Sequence, residues 1–198
     1  MFRHEKTFFH PTGIAIQLST SEDEEQLKRK IKDIAEYEVT RVGEVLRIDL
    51  FFISHDSDEK DRFINTIHMV KQYSSKGIIL DCNERDLLSA GLVLLKESRP
   101  AIFLRDELAE NDIELALDND ASLIISARSL GELTEQSDRA KAAGVKNVIL
   151  NMVSNNIGHQ LQFNTILRRS ALRKYFKPFG YPIFTFIHHG SDYDLLAN

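Results

Sequence analysis

Apolar and polar positions alternate along this chain in two regular patterns, which together predict a repeated strand–helix order. Short apolar runs bounded by turn residues are typical of strands buried on both faces of a parallel sheet. Seven such runs are predicted to be strands: Gly13 to Leu18, Leu46 to Ser54, Gly77 to Cys82, Ala101 to Leu104, Ser122 to Ala127, Asn147 to Met152 and Pro182 to Ile187.

Amphipathic segments with the period of an α-helix lie between these strands. The clearest is Glu22 to Tyr37, in which Leu27 and Ile31 fall on one face while charged residues cover the other. Thr20 and Ser21 precede its acidic first turn and indicate where the helix begins. Five further helices are predicted at Asp58 to Tyr73, Glu84 to Glu97, Glu107 to Asn119, Leu130 to Ala143 and Gln160 to Tyr175.

Strictly alternating strands and helices imply a parallel sheet with right-handed crossovers. A complete eightfold barrel needs about 250 residues, and this chain has 198. We therefore predict an α/β fold, an incomplete TIM-barrel-like (β/α) repeat of about seven strands, in a single domain over residues 1–198. An open flavodoxin-like sheet is the alternative.

An incomplete barrel leaves two strand edges to be covered by the arm Arg3 to Phe9, by another subunit or by further sequence.

Composition and charge exclude several classes of partner and cofactor for this chain. With 30 acidic against 25 basic residues the formal charge is −5, so we expect neither nucleic acid nor an anionic membrane as a partner. The single cysteine, Cys82, excludes an intrachain disulfide and an iron–sulfur cluster held by this chain alone, because such a cluster needs about four ligands. No apolar run approaches the roughly 20 residues that cross a bilayer. We predict a cytoplasmic protein.

Polar side chains follow several of the predicted strands. Asp81 and Asn83 close the third strand, Ser126 lies near the end of the fifth, and Asn151 lies near the end of the sixth. Because the carboxyl ends of barrel strands carry the functional face, these four residues are predicted to form a cofactor-binding or ligand-binding mouth. Amides and hydroxyls are good hydrogen-bonding groups but poor general acids or bases, which favours binding over catalysis. Local turn and capping chemistry is an equally open explanation.

No standard catalytic or metal-binding signature is present in the chain. It lacks a glycine-rich phosphate loop, a nucleophile elbow and a zinc-binding helix motif, so we predict no catalytic residue and no metal ligand. His188 and His189 are neighbours on one predicted stretch of strand and would point to opposite faces, which disfavours a shared ion. Cys82 has no nearby positive group and is expected to be a buried packing residue.

One helix is distinctly basic. Basic residues near a helix C-terminus are favoured by the helix dipole, so part of this pattern is ordinary. Binding of nucleic acid would also require exposed aromatic rings, whereas Tyr175, Phe176 and Phe179 are expected to anchor the end of the helix. The basic residues are Arg168, Arg169, Arg173, Lys174 and Lys177.

Three stretches of the chain together resemble one known family. They are Arg3 to Phe8 with His10 to Gly13, then Ala142 to Leu150, and then Arg168 to Lys174 leading into Phe179 to Pro182. In this order they resemble the large subunit of the corrinoid/iron–sulfur protein, whose archaeal counterpart is the gamma subunit of the acetyl-CoA decarbonylase/synthase complex.

The resemblance implies a barrel domain taken from a three-part subunit. In that family an N-terminal iron–sulfur domain precedes the barrel and a C-terminal corrinoid domain follows it, and neither is present in this sequence. The family carries a methyl group from methyl-tetrahydrofolate or a methylated pterin, through corrinoid cobalt, to acetyl-CoA synthase. We expect this chain to be a component of such a methyltransferase system and not a self-sufficient enzyme. No cofactor is expected on the chain alone, and corrinoid is expected in the full assembly.

The same resemblance implies protein partners and leaves two alternatives open. The partners would be the small-subunit barrel and the methyltransferase of the same pathway, in a hetero- or homo-oligomer. The family usually has Asp-Pro-Gly where this chain reads Asn151-Met152-Val153, so one alternative is a diverged relative without methyl-carrier activity. The other is a stand-alone barrel enzyme related to pterin-binding methyltransferases, which would use Asp81, Asn83 and Asn151 at its mouth.

Overall fold

The computed structural model describes residues 12–154 and 156–187. The chain divides into two compact units. The N-terminal unit contains His10–Phe103 and Asp118–Ala121, and the C-terminal unit contains Leu104–Leu117 and the chain from Ser122 onward. The predicted arm Arg3 to Phe9 and the pair His188 and His189 lie outside the described residues.

The N-terminal unit is built on four parallel strands whose order in the sheet is their order along the chain. The first pairs with the second, the second with the third and the third with the fourth. A flavodoxin-like sheet would instead place its first strand between the second and third. The elements are β1 (Ala15–Ser19), α1 (Glu24–Glu36), β2 (Glu38–Arg41), β3 (Glu44–Arg47), β4 (Leu50–Ser54), α2 (Lys60–Tyr73), β5 (Gly77–Asp81), α3 (Arg85–Leu94) and β6 (Ala101–Phe103).

Strands β2 and β3 form an antiparallel hairpin, which corrects the prediction of one long strand from Leu46 to Ser54. Leu46 pairs with Val39 within the hairpin, and the buried parallel strand begins only at Leu50. The turn has positive φ angles of 53° at Val42 and 82° at Gly43. Two-residue hairpin turns of this kind require positive φ at both positions. A glycine between two short alternating runs was the local signal for this hairpin.

The core of the N-terminal unit forms where β4 and β5 meet α2 and α3. Phe51 and Ile53 of β4 and Phe63 of α2 have no exposed surface. Helix α3 approaches α2 closely at Gly91, where an added Cβ would lie 3.0 Å from Ile67 Cδ1 and 3.2 Å from Phe63 Cε1. Glycine at this position therefore permits the close packing of the two helices.

The C-terminal unit continues the strand–helix alternation. Leu123 pairs with Val148, and Leu150 pairs with Ile183, so its three strands are parallel and again follow chain order. Leu133 of the intervening helix is fully buried. The elements are α4 (Glu110–Asp118), β7 (Ser122–Ala127), α5 (Leu130–Ala142), β8 (Val148–Met152), α6 (Ile157–Arg173) and β9 (Ile183–Phe184). The seven predicted strands are thus confirmed as parallel strands, and the six predicted helices are present.

Capping side chains set helix boundaries that the periodicity predicted only approximately. Asp23, and not Thr20 or Ser21, caps α1, because its carboxylate accepts hydrogen bonds from the second and third backbone N–H groups of the helix. Helix α6 begins before the predicted Gln160, since Asn156 Oδ1 accepts hydrogen bonds from two backbone N–H groups at 2.8 and 3.2 Å.

The aromatic residues after α6 divide into a buried and an exposed group. Phe179 is buried, and Phe176 packs edge-on against it with ring centroids 4.8 Å apart. Tyr175 is 68% exposed and Phe176 is 39% exposed. The interpretation that all three rings anchor the helix is therefore wrong for Tyr175, because an anchor needs apolar contacts that remove it from water.

Candidate functional site

In the N-terminal unit, the loops that follow β1 and β4 are joined by one buried hydroxyl. Thr20 is fully buried. Its Oγ1 accepts hydrogen bonds from the backbone N–H groups of Asp56 at 3.1 Å and Ser57 at 3.2 Å, and donates to Asp56 Oδ1 at 3.2 Å. Ser19 Oγ donates to the other carboxylate oxygen of Asp56 at 2.6 Å. These bonds fix the positions of the two loops at the carboxyl edge of the sheet.

His55 lies immediately after β4 and is held between three other side chains. Only 7% of its side chain is exposed. Nδ1 lies 3.5 Å from Thr20 Oγ1, Nε2 lies 3.4 Å from Glu84 Oε1, and the ring packs edge-on against Phe63 with centroids 5.5 Å apart. His55 was not among the residues predicted from the sequence, although a polar residue directly after a buried strand is a signal for this edge.

Glu84 and Lys60 form an exposed ion pair beside His55. Lys60 Nζ lies 2.5 Å from Glu84 Oε2. The hydrogen bond from Lys60 lowers the pKa of Glu84, and the same bond raises the pKa of Lys60. Glu84 is thus an ionised hydrogen-bond acceptor at neutral pH and a poor proton donor. Burial raises the pKa of the nearby Cys82 thiol, and the prediction that this cysteine is buried is confirmed.

The structure places the predicted site residues Asp81 and Asn83 in different environments. Asp81 is buried, and its Oδ2 accepts a hydrogen bond from Ser54 Oγ at 2.8 Å. Its backbone oxygen also accepts a hydrogen bond from the backbone N–H of His55 at 2.8 Å. Asn83 lies two residues further along and is exposed in the loop. Asp81 is therefore part of the sheet edge, whereas Asn83 remains accessible to a ligand.

In the C-terminal unit the structure brings the other two predicted residues together. Ser126 and Asn151 are partners in the register of β7 and β8, and both are buried. Asn151 Nδ2 donates to Ser126 Oγ at 3.0 Å. Gln136 of α5 donates to the backbone oxygen of Ser126 and accepts a hydrogen bond from the backbone N–H of Leu108 at 3.0 Å. Within the described part of the chain, Asn151 Oδ1 accepts no hydrogen bond.

The described side chains are suited to binding and positioning. Over residues 12–154 and 156–187, no group of three or more His, Cys, Asp and Glu side chains is arranged to hold a metal ion. Across the same residues no helix combines the length and apolar character needed to span a bilayer. The polar groups are amides, hydroxyls and the carboxylates of Asp56 and Asp81 in internal hydrogen bonds, with one exposed ion pair beside His55.

The fold is that of a TIM-barrel-like (β/α) protein. Dihydropteroate synthase (FolP) from Thermus thermophilus has a similar structure, with a TM-score of 0.55 and 17% sequence identity. The similarity covers 87% of this chain and 70% of that one. At this identity the similarity defines the fold alone.

The chain belongs to the family described as CO dehydrogenase/acetyl-CoA synthase delta subunit, whose model matches residues 1–194. It is 31% identical over 184 residues to the corrinoid/iron–sulfur protein large subunit of Moorella thermoacetica, a match that covers 92% of this chain and 41% of that protein. It is 27% identical over 188 residues to the acetyl-CoA decarbonylase/synthase complex subunit gamma of Methanocaldococcus jannaschii, covering 92% and 38%. The resemblance to the large, or gamma, subunit is confirmed. The chain spans about two fifths of the length of these relatives.

Proposed function

We propose that this chain is the barrel component of a corrinoid/iron–sulfur methyl carrier in the reductive acetyl-CoA pathway, working in the cytoplasm. In this role it is a scaffold and docking surface while a methyl group passes from methyl-tetrahydrofolate or a methylated pterin to acetyl-CoA synthase. The observation that carries the proposal is the similarity to the corrinoid/iron–sulfur protein large subunit over 92% of the chain.

The hydrogen bonding at the strand ends supports a scaffold over an independent enzyme. Asp81 accepts a hydrogen bond from Ser54, and Asn151 donates one to Ser126, so these predicted ligand contacts also hold neighbouring strands together. The Asn151 amide and the Ser54 and Ser126 hydroxyls transfer protons poorly at neutral pH. The Asp81 carboxylate is buried and hydrogen-bonded to Ser54. A rigid edge of this kind is suited to presenting loops to a partner.

The corrinoid is assigned to another part of the assembly. His55 is poorly placed to bind the cobalt of a corrinoid, because its two ring nitrogens lie 3.5 and 3.4 Å from Thr20 and Glu84. Its ring is also packed edge-on against Phe63. We propose that the small subunit and the parts of the carrier outside this chain supply the corrinoid site.

Reconstitution from purified proteins tests the proposal. We expect the chain to bind the small corrinoid/iron–sulfur subunit in sedimentation-velocity experiments, and to leave methyl-tetrahydrofolate unchanged when it is the only protein present. The matched reaction contains the small subunit and the methyltransferase without this chain. Turnover of methyl-tetrahydrofolate by the chain alone, or no binding to the small subunit, would contradict the proposal.

A second candidate is a polar ligand site at Asn151, favoured by the acceptor oxygen that no described residue uses. Asn151 is only 4% exposed, and buried acceptors normally have a hydrogen-bond partner. A methylated pterin, which carries both donors and acceptors, would supply one. In calorimetric titration we expect Asn151→Leu to abolish the heat of binding and the exposed control Asn65→Leu to retain it. No heat with the unaltered chain would exclude this candidate.

A further inference from the structure

Charge is strongly segregated along the chain. Residues 139–191 contain 8 of the 25 Lys and Arg residues and none of the 30 Asp and Glu residues. The rest of the chain therefore carries 17 basic and 30 acidic residues. The basic segment runs from the last turn of α5 through β8 and α6, all within the C-terminal unit. A local basic surface on an acidic protein steers association with oppositely charged partners.

The basic side chains at the end of α6 are not used for ion pairs within the described part of the fold. Arg169, Arg173, Lys174 and Lys177 are all exposed, and none forms an ion pair with any residue in the described ranges. Arg139 on α5, in contrast, lies 3.3 Å from Glu107. Arg169 and Arg173 are four residues apart on one helix and repel each other. Their clustering therefore does not stabilise the folded chain.

Exposed apolar side chains lie beside these cations. Tyr175 and Phe176 follow the helix with exposures of 68% and 39%. We call Arg169, Arg173, Lys174, Tyr175, Phe176 and Lys177 the basic–aromatic face.

Tyr175 has an unfavourable backbone conformation that its own packing does not offset. Its φ angle is 53°, in the left-handed region where helix ends usually carry glycine. The following residue is held in place by a hydrogen bond from Phe176 N to Ser170 O at 3.1 Å. A tyrosine here presents its ring to solvent, and within residues 12–154 and 156–187 most of this ring is not covered.

The position of the face favours a protein partner over a phosphate group. It surrounds the C-terminus of α6, where backbone carbonyls and not N–H groups are exposed, whereas phosphates bind at helix N-termini. The helix dipole accounts for cations in the last turn but not for Arg169 or for exposed rings. Arginine, tyrosine and phenylalanine are the residues enriched at the centre of protein interfaces.

We propose that the basic–aromatic face is the surface by which this chain docks onto a carboxylate-rich surface of another subunit. The partner contributes Asp and Glu side chains to the arginines, and an apolar contact to Tyr175 and Phe176. This inference rests on the proposed function, in which the chain acts within a complex of several subunits.

Charge reversal tests the inference on the full chain. The probe is the purified small corrinoid/iron–sulfur subunit, titrated against the chain with and without the methyltransferase. We expect R169E/R173E to raise the Kd at least about tenfold, as for charges at an interface centre, and the exposed control Lys96→Glu to change it less than about twofold. Failure of the unaltered chain to bind contradicts the proposed function. Unaltered binding by R169E/R173E overturns only the present inference.

Zero-length carbodiimide coupling locates the contact in the reconstituted complex. The reagent joins a lysine amine to a carboxylate that it already touches. We expect amide cross-links from Lys174 or Lys177 to Asp or Glu residues of the small subunit or the methyltransferase. Cross-links to a second copy of this chain only, or none at these two lysines, overturn the inference.

Replacement of Tyr175 separates a binding role from a structural one. Tyr175→Gly relieves the left-handed strain, so we expect a higher Tm than that of the unaltered chain. We also expect a Kd for the same probe at least about threefold higher, because an exposed interface aromatic is removed. A higher Tm with unchanged binding would overturn the role of this residue in docking.

Discussion

Replacing Thr20 with valine tests the link between the loops that follow β1 and β4. Valine has nearly the same shape, so the change removes the hydroxyl without opening a cavity. The hydroxyl makes three hydrogen bonds of 3.1 to 3.2 Å, two from backbone N–H groups and one to the Asp56 carboxylate. A neutral hydrogen bond contributes about 1 kcal/mol and one to a charged group about 1.5–3 kcal/mol, before water replaces part of the loss.

Because the loop is partly accessible to water, we expect a net loss of about 2 kcal/mol in the free energy of unfolding. For a chain of this size that corresponds to a fall of roughly 4–8 °C in Tm. Urea denaturation followed by circular dichroism measures both the midpoint and the slope. The matched control is Thr165→Val on the exposed face of α6, which should change stability by less than about 0.5 kcal/mol.

A double-mutant cycle with Asp56→Ala identifies the partner responsible. If Thr20 acts through Asp56, the two substitutions together should destabilise the chain by at least about 1 kcal/mol less than the sum of their separate effects. Full additivity, or a Thr20→Val variant as stable as the unaltered chain, would refute the assignment of this network.

The remaining predictions concern charge, thiol reactivity and packing. Lys60 lowers the pKa of Glu84. The stabilisation from this pair is therefore present above the unfolded glutamate pKa of about 4.3, and it is lost as pH falls through the lower pKa of the folded state. Glu84→Gln should flatten this part of a stability–pH curve, and an unchanged slope would contradict the prediction. Burial raises the pKa of the Cys82 thiol. At a mildly alkaline pH, an aromatic disulfide reagent should therefore label Cys82 in the folded chain much more slowly than in the chain unfolded by urea. Equal labelling rates would contradict this prediction. Gly91→Ala places a Cβ 3.0 Å from an isoleucine of α2 and should lower the free energy of unfolding by about 1–2 kcal/mol, measured by denaturation. In the control Gly131→Ala the added Cβ has no atom nearer than 3.9 Å, so the stability should be unchanged or higher.

Local patterns predicted the elements well and their ends less well. The apolar run at Gly77 to Cys82 was sufficient to predict β5, because burial on both faces confines the polar residue of the strand, Asp81, to its end. The hairpin β2–β3 was missed because its residues are exposed on both faces and show no burial period. The start of α6 depended on the side chain of Asn156, whose capping bonds periodicity does not reveal.

The sequence predicted which kinds of residue form the candidate site, but it did not predict which of their side chains contact one another. The sequence order placed polar residues at strand ends, and the pairing of Ser126 with Asn151 followed from the register of two strands. The network around Thr20 was not foreseen, since its partner Asp56 lies 36 residues further along the chain. Periodicity reports contacts within one element and carries no information about which loops meet.

By itself, the sequence determined that this protein is a (β/α) repeat of about seven parallel strands, because hydrophobic periodicity is a local consequence of burial. It also carried the resemblance to the corrinoid/iron–sulfur large subunit. Only the tertiary structure decided that Asp81 is buried while Asn83 is exposed, and that Tyr175 lies on the surface beside arginines that pair with no acidic residue in the described ranges. Burial and exposure depend on which distant segments of the chain cover each side chain. Those contacts form only when the strands and helices pack against one another.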